Sequence, residues 1–113
     1  MERSRVRDGI PYGTLDLLVL KTLGRGGTMH GFQIADFIQQ TTESVLSVEE
    51  GSLYPALQRL LMHGWVTVAW GRTNENRRAR YYTLARSGNK QLEREVAKYH
   101  RLAHAIGRVL QVT

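Results

Sequence analysis

The sequence predicts a mainly α-helical fold with one small β-hairpin. Apolar residues recur at helical spacing in three segments before Gly64 and in one long segment after Ser87. Between these two residues the pattern changes to the alternation of strands and is rich in β-branched and aromatic side chains. The 113 residues, 42% of them hydrophobic, suffice for one domain with one modest core.

Start and stop signals predict the first two helices. Thr14 is a good N-cap for the first helix, and Gly24 is expected to end it. This helix is apolar nearly all round, so we expect it at the centre of the core. After a loop, the second helix is expected from about His30 to Gln40, with an apolar stripe facing inward.

The third helix lies within the stretch VEEGSLYPALQRLLMHGWV, residues 48–66. At about 100° per residue, one face carries leucines: Leu53, Leu57, Leu60 and Leu61. The opposite face carries mostly small or hydrogen-bonding residues: Gly51, Ser52, Pro55, Gln58, Arg59 and Met62. Tyr54 lies on the edge between the two faces. Small residues near the helix start favour phosphate contacts, and glutamine and arginine further along can read adenine and guanine.

Pro55 leaves two interpretations of where this helix starts. A proline inside a helix removes a backbone donor and clashes with the carbonyl four residues earlier, here that of Gly51. The helix either starts late, with Ser52 as its cap, or starts at Ser47, in a capping box with Glu50, and bends near the proline.

Positive charge is concentrated in the predicted hairpin. Residues 65–87 contain five arginines and one acid, Glu75, a net charge of five minus one, or +4. Asn74 and Asn76 suit a turn and can also donate to phosphates. Such a cluster favours a phosphate backbone as partner, although charged residues also protect hairpin edges from aggregation. The arginines are Arg72, Arg77, Arg78, Arg80 and Arg86.

Three helices, a hairpin and a last helix follow one another in the order of a winged helix-turn-helix. That fold places its third helix in the DNA major groove and lays the hairpin, or wing, along the backbone. The formal net charge of +6 indicates a polyanionic partner, and only three of the 16 basic residues are lysines. Because the face of the third helix lacks aromatic residues that would stack on RNA bases, duplex DNA is favoured.

A last helix is predicted from Ser87 to about Leu110. Its apolar residues alternate four and three positions apart, the pattern of a coiled-coil seam. The simplest partner is the same helix of a second copy, giving a two-fold dimer on a palindromic DNA site, and the alternative is packing on the same domain. The seam consists of Leu92, Val96, Tyr99, Ala103, Ile106 and Leu110.

The sequence offers no catalytic, cofactor or membrane signal. It has no cysteine, and no nucleotide-binding glycine loop or catalytic triad is recognisable. His100 and His104 lie one helical turn apart without a third metal ligand. The charged start lacks the apolar run of a signal peptide, and Leu17–Leu20 is too short to cross a bilayer. We therefore expect a cytoplasmic protein that is not an enzyme, with no cofactor and no metal.

Five stretches resemble the PadR family of transcriptional regulators. They are GTLDLLVLKTL, HGFQIA, EEGSLYPALQRL, HGWV and NRRARYYTLARSG. The resemblance covers about residues 13–110. The ending IGRVL also resembles a short acidobacterial subgroup of the family. The resemblance implies a winged-helix dimer, usually a repressor that leaves its operator when an effector binds. Ser52, Tyr54 and Pro55 match the family's DNA-contacting signature. The wing cations would be Arg77, Arg78 and Arg80.

The predicted organisation is a flexible arm over residues 1–13, a winged-helix DNA-binding domain over 14–86 and a dimerisation helix over 87–113. A small-molecule effector would need a pocket, expected between the last helix and the first two across the dimer. Its candidate residues are Phe32, Trp65, Trp70 and Tyr99. Two further functions fit the same fold: a module whose basic face binds an acidic protein, and an RNA binder.

Overall fold

Four helices pack around a three-stranded antiparallel sheet in the computed structural model, which describes Ile10 and residues 13–111. The predicted arm lies outside the described residues except for Ile10 and Gly13. No helix among the described residues has the length and apolarity needed to cross a membrane. The elements are α1 Leu15–Gly26, β1 Met29–His30, α2 Gly31–Thr41, α3 Glu50–Met62, β2 Val66–Arg72, β3 Arg78–Leu84 and α4 Arg86–Leu110.

The first helix runs two residues past its predicted end at Gly24. A Cβ atom on Gly24 would lie 3.2 Å from a methyl carbon of Leu92 on α4, so this glycine allows α4 to pack closely against α1. The helix ends at Gly26, and the residue after it, Gly27, adopts φ +83° and donates its N–H to the carbonyl of Leu23 at 3.0 Å. A positive φ of this kind suits glycine and stops the helix.

A short strand was missed in the predicted loop between α1 and α2. Met29 and His30 pair with Tyr82 and Tyr81, so the strand order is β1-β3-β2. Two residues are too few to show an alternating pattern. His30 then caps α2: its backbone N–H donates to Oε1 of Gln33 at 3.0 Å, and the N–H of Gln33 donates to Nδ1 of His30 at 3.4 Å.

The third helix begins at Glu50, between its two predicted starts. The carbonyl of Glu49 accepts the N–H groups of Ser52 at 3.0 Å and of Leu53 at 2.9 Å, so Ser52 lies inside the first turn and is not the cap. Ser47 lies before the helix and does not form the predicted capping box. Both predicted starts were therefore wrong: the N-cap is Glu49, and no side-chain hydrogen bond caps the helix.

Pro55 is tolerated one turn inside α3. Its ring replaces the N–H that would otherwise donate to the carbonyl of Gly51. Gly51 and Pro55 are both exposed, and nothing lies within 4 Å of a Cβ atom built on Gly51. Water can therefore reach the carbonyl of Gly51, which lowers the cost of the missing hydrogen bond.

One apolar core joins all four helices to the sheet. As predicted, α1 is central, and it packs against α2, α3, α4 and β3. The leucine face of α3 is also confirmed, with Leu61 at its half-buried margin. The core consists of Val19, Leu20, Leu23, Ile34, Ile38, Leu53, Leu57, Leu60, Val66, Tyr82 and Leu92.

The last helix begins at Arg86, one residue before the predicted cap Ser87. The hydroxyl of Ser87 instead donates to the carbonyl of Gly64 at 2.8 Å. Gly88 is buried against the carbonyl of Trp65, leaving no room for a Cβ atom. Leu92 is in the core, at 6% exposure. The start of α4 is thereby fixed to the α3–β2 turn, and the rest of this 25-residue helix extends from the core.

Candidate nucleic-acid interface

The outer face of α3 is exposed as predicted. Gln58 and Met62 face solvent, and so do Gly51, Ser52 and Pro55 near the helix start. Along this face, the exposed N-terminal turn of the helix comes first, and the amide of Gln58 follows about one turn later. The described contacts of Gln58 include no hydrogen bond within residues 13–111, so its amide is available to a base edge.

Tyr54 lies on the edge of α3 that faces α2. Its ring packs over Gly31, the first residue of α2, where a Cβ atom would come within 2.7 Å of the tyrosine hydroxyl oxygen. The side chain is still 48% exposed. The absence of a side chain at Gly31 therefore allows Tyr54 to lie against α2 while the residue remains partly exposed.

Arg59 lies on the opposite edge of α3, against α1. Its Nη2 donates to Oδ1 of Asp16 at 2.7 Å, and its Nε donates to Oδ2 at 3.3 Å. A carboxylate that accepts from both nitrogens compensates the charge and fixes the guanidinium plane. Asp16, 43 residues away in the sequence, was not predicted as a partner, because no periodicity connects it with Arg59.

The wing consists of β2, β3 and residues 73–77 between them. Hydrogen bonds within the wing stabilise its turn, residues 73–77. The N–H of Asn76 donates to the carbonyl of Thr73 at 2.8 Å, and the N–H of Thr73 donates to the carbonyl of Arg77 at 2.8 Å. Asn76 adopts φ +63°, a conformation that asparagine tolerates better than most residues. Nη1 of Arg72 donates to the carbonyl of Asn76 at 3.1 Å, so Arg72 stabilises the turn.

Two wing arginines lie over aromatic rings on the same face of the sheet. The guanidinium carbon of Arg78 lies 4.3 Å from the ring centre of Trp70, and that of Arg80 lies 5.8 Å from the ring centre of Tyr82. Arg80 is also the cross-strand partner of Trp70. Burial raises the pKa of the Tyr82 hydroxyl and Arg80 opposes that rise, so the tyrosine adds no negative charge beside the arginines near neutral pH.

A cleft of about 440 Å³ separates the wing from the starts of α2 and α3. None of its lining residues is an aspartate or glutamate, so its three arginines make it strongly positive. The structure thus brings together predicted residues from α3 and the wing around one basic groove. The principal lining side chains are Phe32, Tyr54, Trp70, Arg77, Arg78 and Arg80.

The four residues of the predicted effector pocket are not brought together within the chain. Phe32 and Trp70 line the basic cleft. Trp65 is half-buried at the other end of β2, where its ring stacks on His63 with centres 4.2 Å apart. Tyr99 lies on the exposed part of α4. These separations could not be predicted from residue spacing, because they depend on where β2 and α4 lie in the fold.

The predicted seam of α4 divides into two parts. Leu92 is buried in the core of its own chain, whereas Val96 is half-buried at the margin of that core. Tyr99, Ala103, Ile106 and Leu110 are exposed, and so are two apolar residues that were not predicted, Leu102 and Val109. These two continue the three- and four-residue spacing, so the same periodicity could have identified them. The large exposed residues, Tyr99, Leu102, Ile106, Val109 and Leu110, are called the apolar stripe below.

No cluster of metal-binding side chains is present in the described part of the chain, where no three His, Asp or Glu residues come close enough to hold an ion. His100 lies edge-on to Tyr99, with ring centres 6.0 Å apart.

Known proteins share this architecture. Residues 19–94, more than half of the chain, match the model of the transcriptional regulator PadR-like family. A PadR family regulator from Eggerthella lenta is 25% identical, with a TM-score of 0.75 over 89% of this chain and 85% of that one. A transcriptional regulator from Clostridium thermocellum is 24% identical, with a TM-score of 0.77 over 85% and 92%.

A third structure shows PadR of Bacillus subtilis in complex with operator DNA. It is 24% identical, with a TM-score of 0.64 over 74% of this chain and 47% of that one. The comparison with curated proteins gave no match. The four helices, of which the last is long, and the small antiparallel sheet form the winged-helix fold of these regulators. With the family model matched over residues 19–94, the chain belongs to the PadR-like family of transcriptional regulators.

Proposed function

We propose that the chain binds a palindromic DNA operator as a homodimer in the cytoplasm and represses transcription until an effector releases it. The observation that carries the DNA-binding part is the basic cleft, which joins Tyr54 of α3 to three wing arginines without an acid among its lining residues. The neighbour bound to operator DNA supports the same assignment.

In the proposed complex, α3 enters the major groove and the wing follows the backbone. The exposed turn at Gly51, Ser52 and Pro55 allows close approach to phosphates, and Gln58 lies where it can read a base. Tyr54 and the wing arginines hold the backbone on either side of the cleft. Arg59 contributes by linking α3 to α1, since Asp16 already compensates its charge.

The apolar stripe supports the dimer. Its five side chains are between 47% and 75% exposed and follow one another along a single helix. A soluble monomer rarely exposes a continuous apolar surface of this kind. Because a heptad-like seam suits a second helix with the same seam, the simplest occupant is α4 of a second copy.

Selection from random duplex DNA at physiological salt, read by sequencing, tests the proposal. We expect a palindromic motif whose half-sites lie about one helical turn, or a multiple of it, apart. A pool without a motif, bound only at low salt, would contradict operator binding. That outcome would favour the acidic-protein partner, because the basic cleft would then act only by electrostatic attraction.

Repression and release need a second experiment. The selected motif is placed between a promoter and a reporter, and expression is measured with and without the protein. Repression predicts lower expression when the protein is present, and unchanged or higher expression would contradict it. Compounds that restore expression are then tested for direct release of the purified protein from the same duplex, which would identify an effector.

A further inference from the structure

The indole of Trp70 is exposed, although it shares a face of β2 with valines that belong to the core or pack against it. Val66 and Val68 share this face and are buried or half-buried, whereas Trp70 is 62% exposed. Tryptophan combines a large apolar surface with one N–H donor, and such residues concentrate at binding interfaces. The position of Trp70 on the cleft side of the wing therefore indicates a binding role rather than a core role.

The surroundings of this indole suit a phosphate backbone. Arg78 stacks on the ring at 4.3 Å, and Arg80 is the cross-strand partner of Trp70. Within residues 13–111 the indole N–H has no hydrogen-bond acceptor, so it can donate to a phosphate oxygen. The stacked guanidinium limits rotation of the ring and keeps positive charge beside it.

We propose that Trp70 contacts the DNA backbone, with its indole N–H donating to a phosphate oxygen and its ring packing on the neighbouring deoxyribose, and that Arg78 orients the ring. The inference rests on the proposed function. Tyr54 lines the same cleft, so a DNA strand that contacts both Tyr54 and Trp70 would run across the cleft. A backbone contact adds affinity without selecting bases, and its loss should weaken binding to all sequences alike.

The two tryptophans of the chain allow a direct test by fluorescence. Trp65→Phe leaves Trp70 as the only indole, and Trp70→Phe leaves Trp65, which is stacked on His63 away from the cleft. Each variant is titrated at low salt with a mixed-sequence duplex of about three helical turns, long enough for two half-sites. We expect the emission of Trp70 to change at saturation and that of Trp65 to stay constant. Constant Trp70 emission with DNA bound would overturn the inference.

Substitutions separate the contributions of the Trp70 ring, its N–H and the stacked Arg78 cation to DNA affinity. Trp70→Ala should weaken binding about tenfold, and Trp70→Phe, which keeps a ring without a donor, about threefold to fivefold. Arg78→Lys keeps the charge but loses the planar stack, so it should weaken binding more than the control Arg77→Lys does. Equal effects of the two lysine variants would remove the role given to Arg78.

The outcomes distinguish this inference from the function on which it rests. If the unmodified protein binds no duplex at any salt concentration, the proposed function fails. If the unmodified protein and Trp70→Ala bind equally well, only the role of Trp70 fails. Thermal unfolding checks that each variant is folded, which we expect because the side chain is exposed.

Discussion

The ion pair between Asp16 and Arg59 links the first turn of α1 to the second half of α3. The two side chains are 31% and 53% exposed, so solvent screens the pair even though its geometry is bidentate. For exposed pairs the stabilisation is at most about 1 kcal/mol. The pair therefore adds only a small stabilising contact between α1 and α3.

Arg59→Ala and Asp16→Ala should each lower the free energy of unfolding by no more than about 1 kcal/mol, because they remove a solvent-screened pair. The double variant should lose little more than either single one. Chemical denaturation of all four proteins measures this coupling. Selection on random DNA with Arg59→Ala should return the motif of the unmodified protein, whereas lost preference at one base position would show that Arg59 reads that base.

Asn76 occupies a backbone conformation that few side chains adopt. Asn76→Gly should leave stability within about 1 kcal/mol, and Asn76→Val should destabilise the protein by about 1–2 kcal/mol, because a branched Cβ atom is strained at positive φ. Denaturation of both variants gives these values. DNA binding by Asn76→Gly separates turn formation from phosphate donation: tenfold weaker binding by this folded variant would show that the amide itself contacts DNA.

At the scale of elements, α4 shows how far periodicity predicts structure. The spacing of its apolar residues correctly indicated a long amphipathic helix. It did not indicate that Leu92 packs into the core of its own chain, since that depends on Gly24 allowing α4 to approach α1. The same limit explains the missed strand β1, whose two residues form a strand only because β3 lies beside them.

The candidate site was predictable in its chemistry but only partly in its geometry. The arginine-rich hairpin and the two faces of α3 follow from residue types and spacing. The ion pair of Arg59 and the separation of Trp65 from Trp70 depend on contacts between distant segments. Residue type alone could not show that Arg72 holds the wing turn, since arginine serves equally well as a phosphate contact.

Charges placed in the apolar stripe should prevent association. The double variant Tyr99→Glu, Ile106→Glu is expected to be a folded monomer, because each glutamate would have to be buried without a partner in the proposed dimer. Light scattering on a sizing column measures the mass. Arg101→Glu, an exposed substitution outside the stripe, is the control and should remain dimeric. A dimer formed by the double variant would contradict an interface along the stripe.

At the scale of the whole molecule, Gly88 determines how α4 joins the rest of the fold. A Cβ atom at this position would collide with the carbonyl of Trp65 and approach a methyl carbon of Leu84 at 2.8 Å. The backbone must therefore shift if any other residue is placed there. Because α4 carries the proposed interface, such a shift would also change the separation of the two α3 helices in a dimer.

Gly88→Ala should destabilise the protein by about 1–3 kcal/mol through overpacking. Gly107→Ala is the matched control on the same helix: nothing lies within 4 Å of its Cβ position, so the change should be stabilising by about 0.5–1 kcal/mol. Thermal unfolding compares the two variants. Equal stability of the two would contradict a close fit of Gly88 against the backbone of Trp65.

The division of α4 between core and stripe links folding to protein concentration. One half of the helix is stabilised within its own chain, and the other half would be stabilised only by a second copy. Dimer formation would therefore add to the stability of each subunit, and it increases with protein concentration. The melting temperature should then rise as the protein is concentrated. In a cell with few copies the free subunit would be the less stable species and the first to be degraded, so the amount of active regulator would fall more steeply than its rate of synthesis.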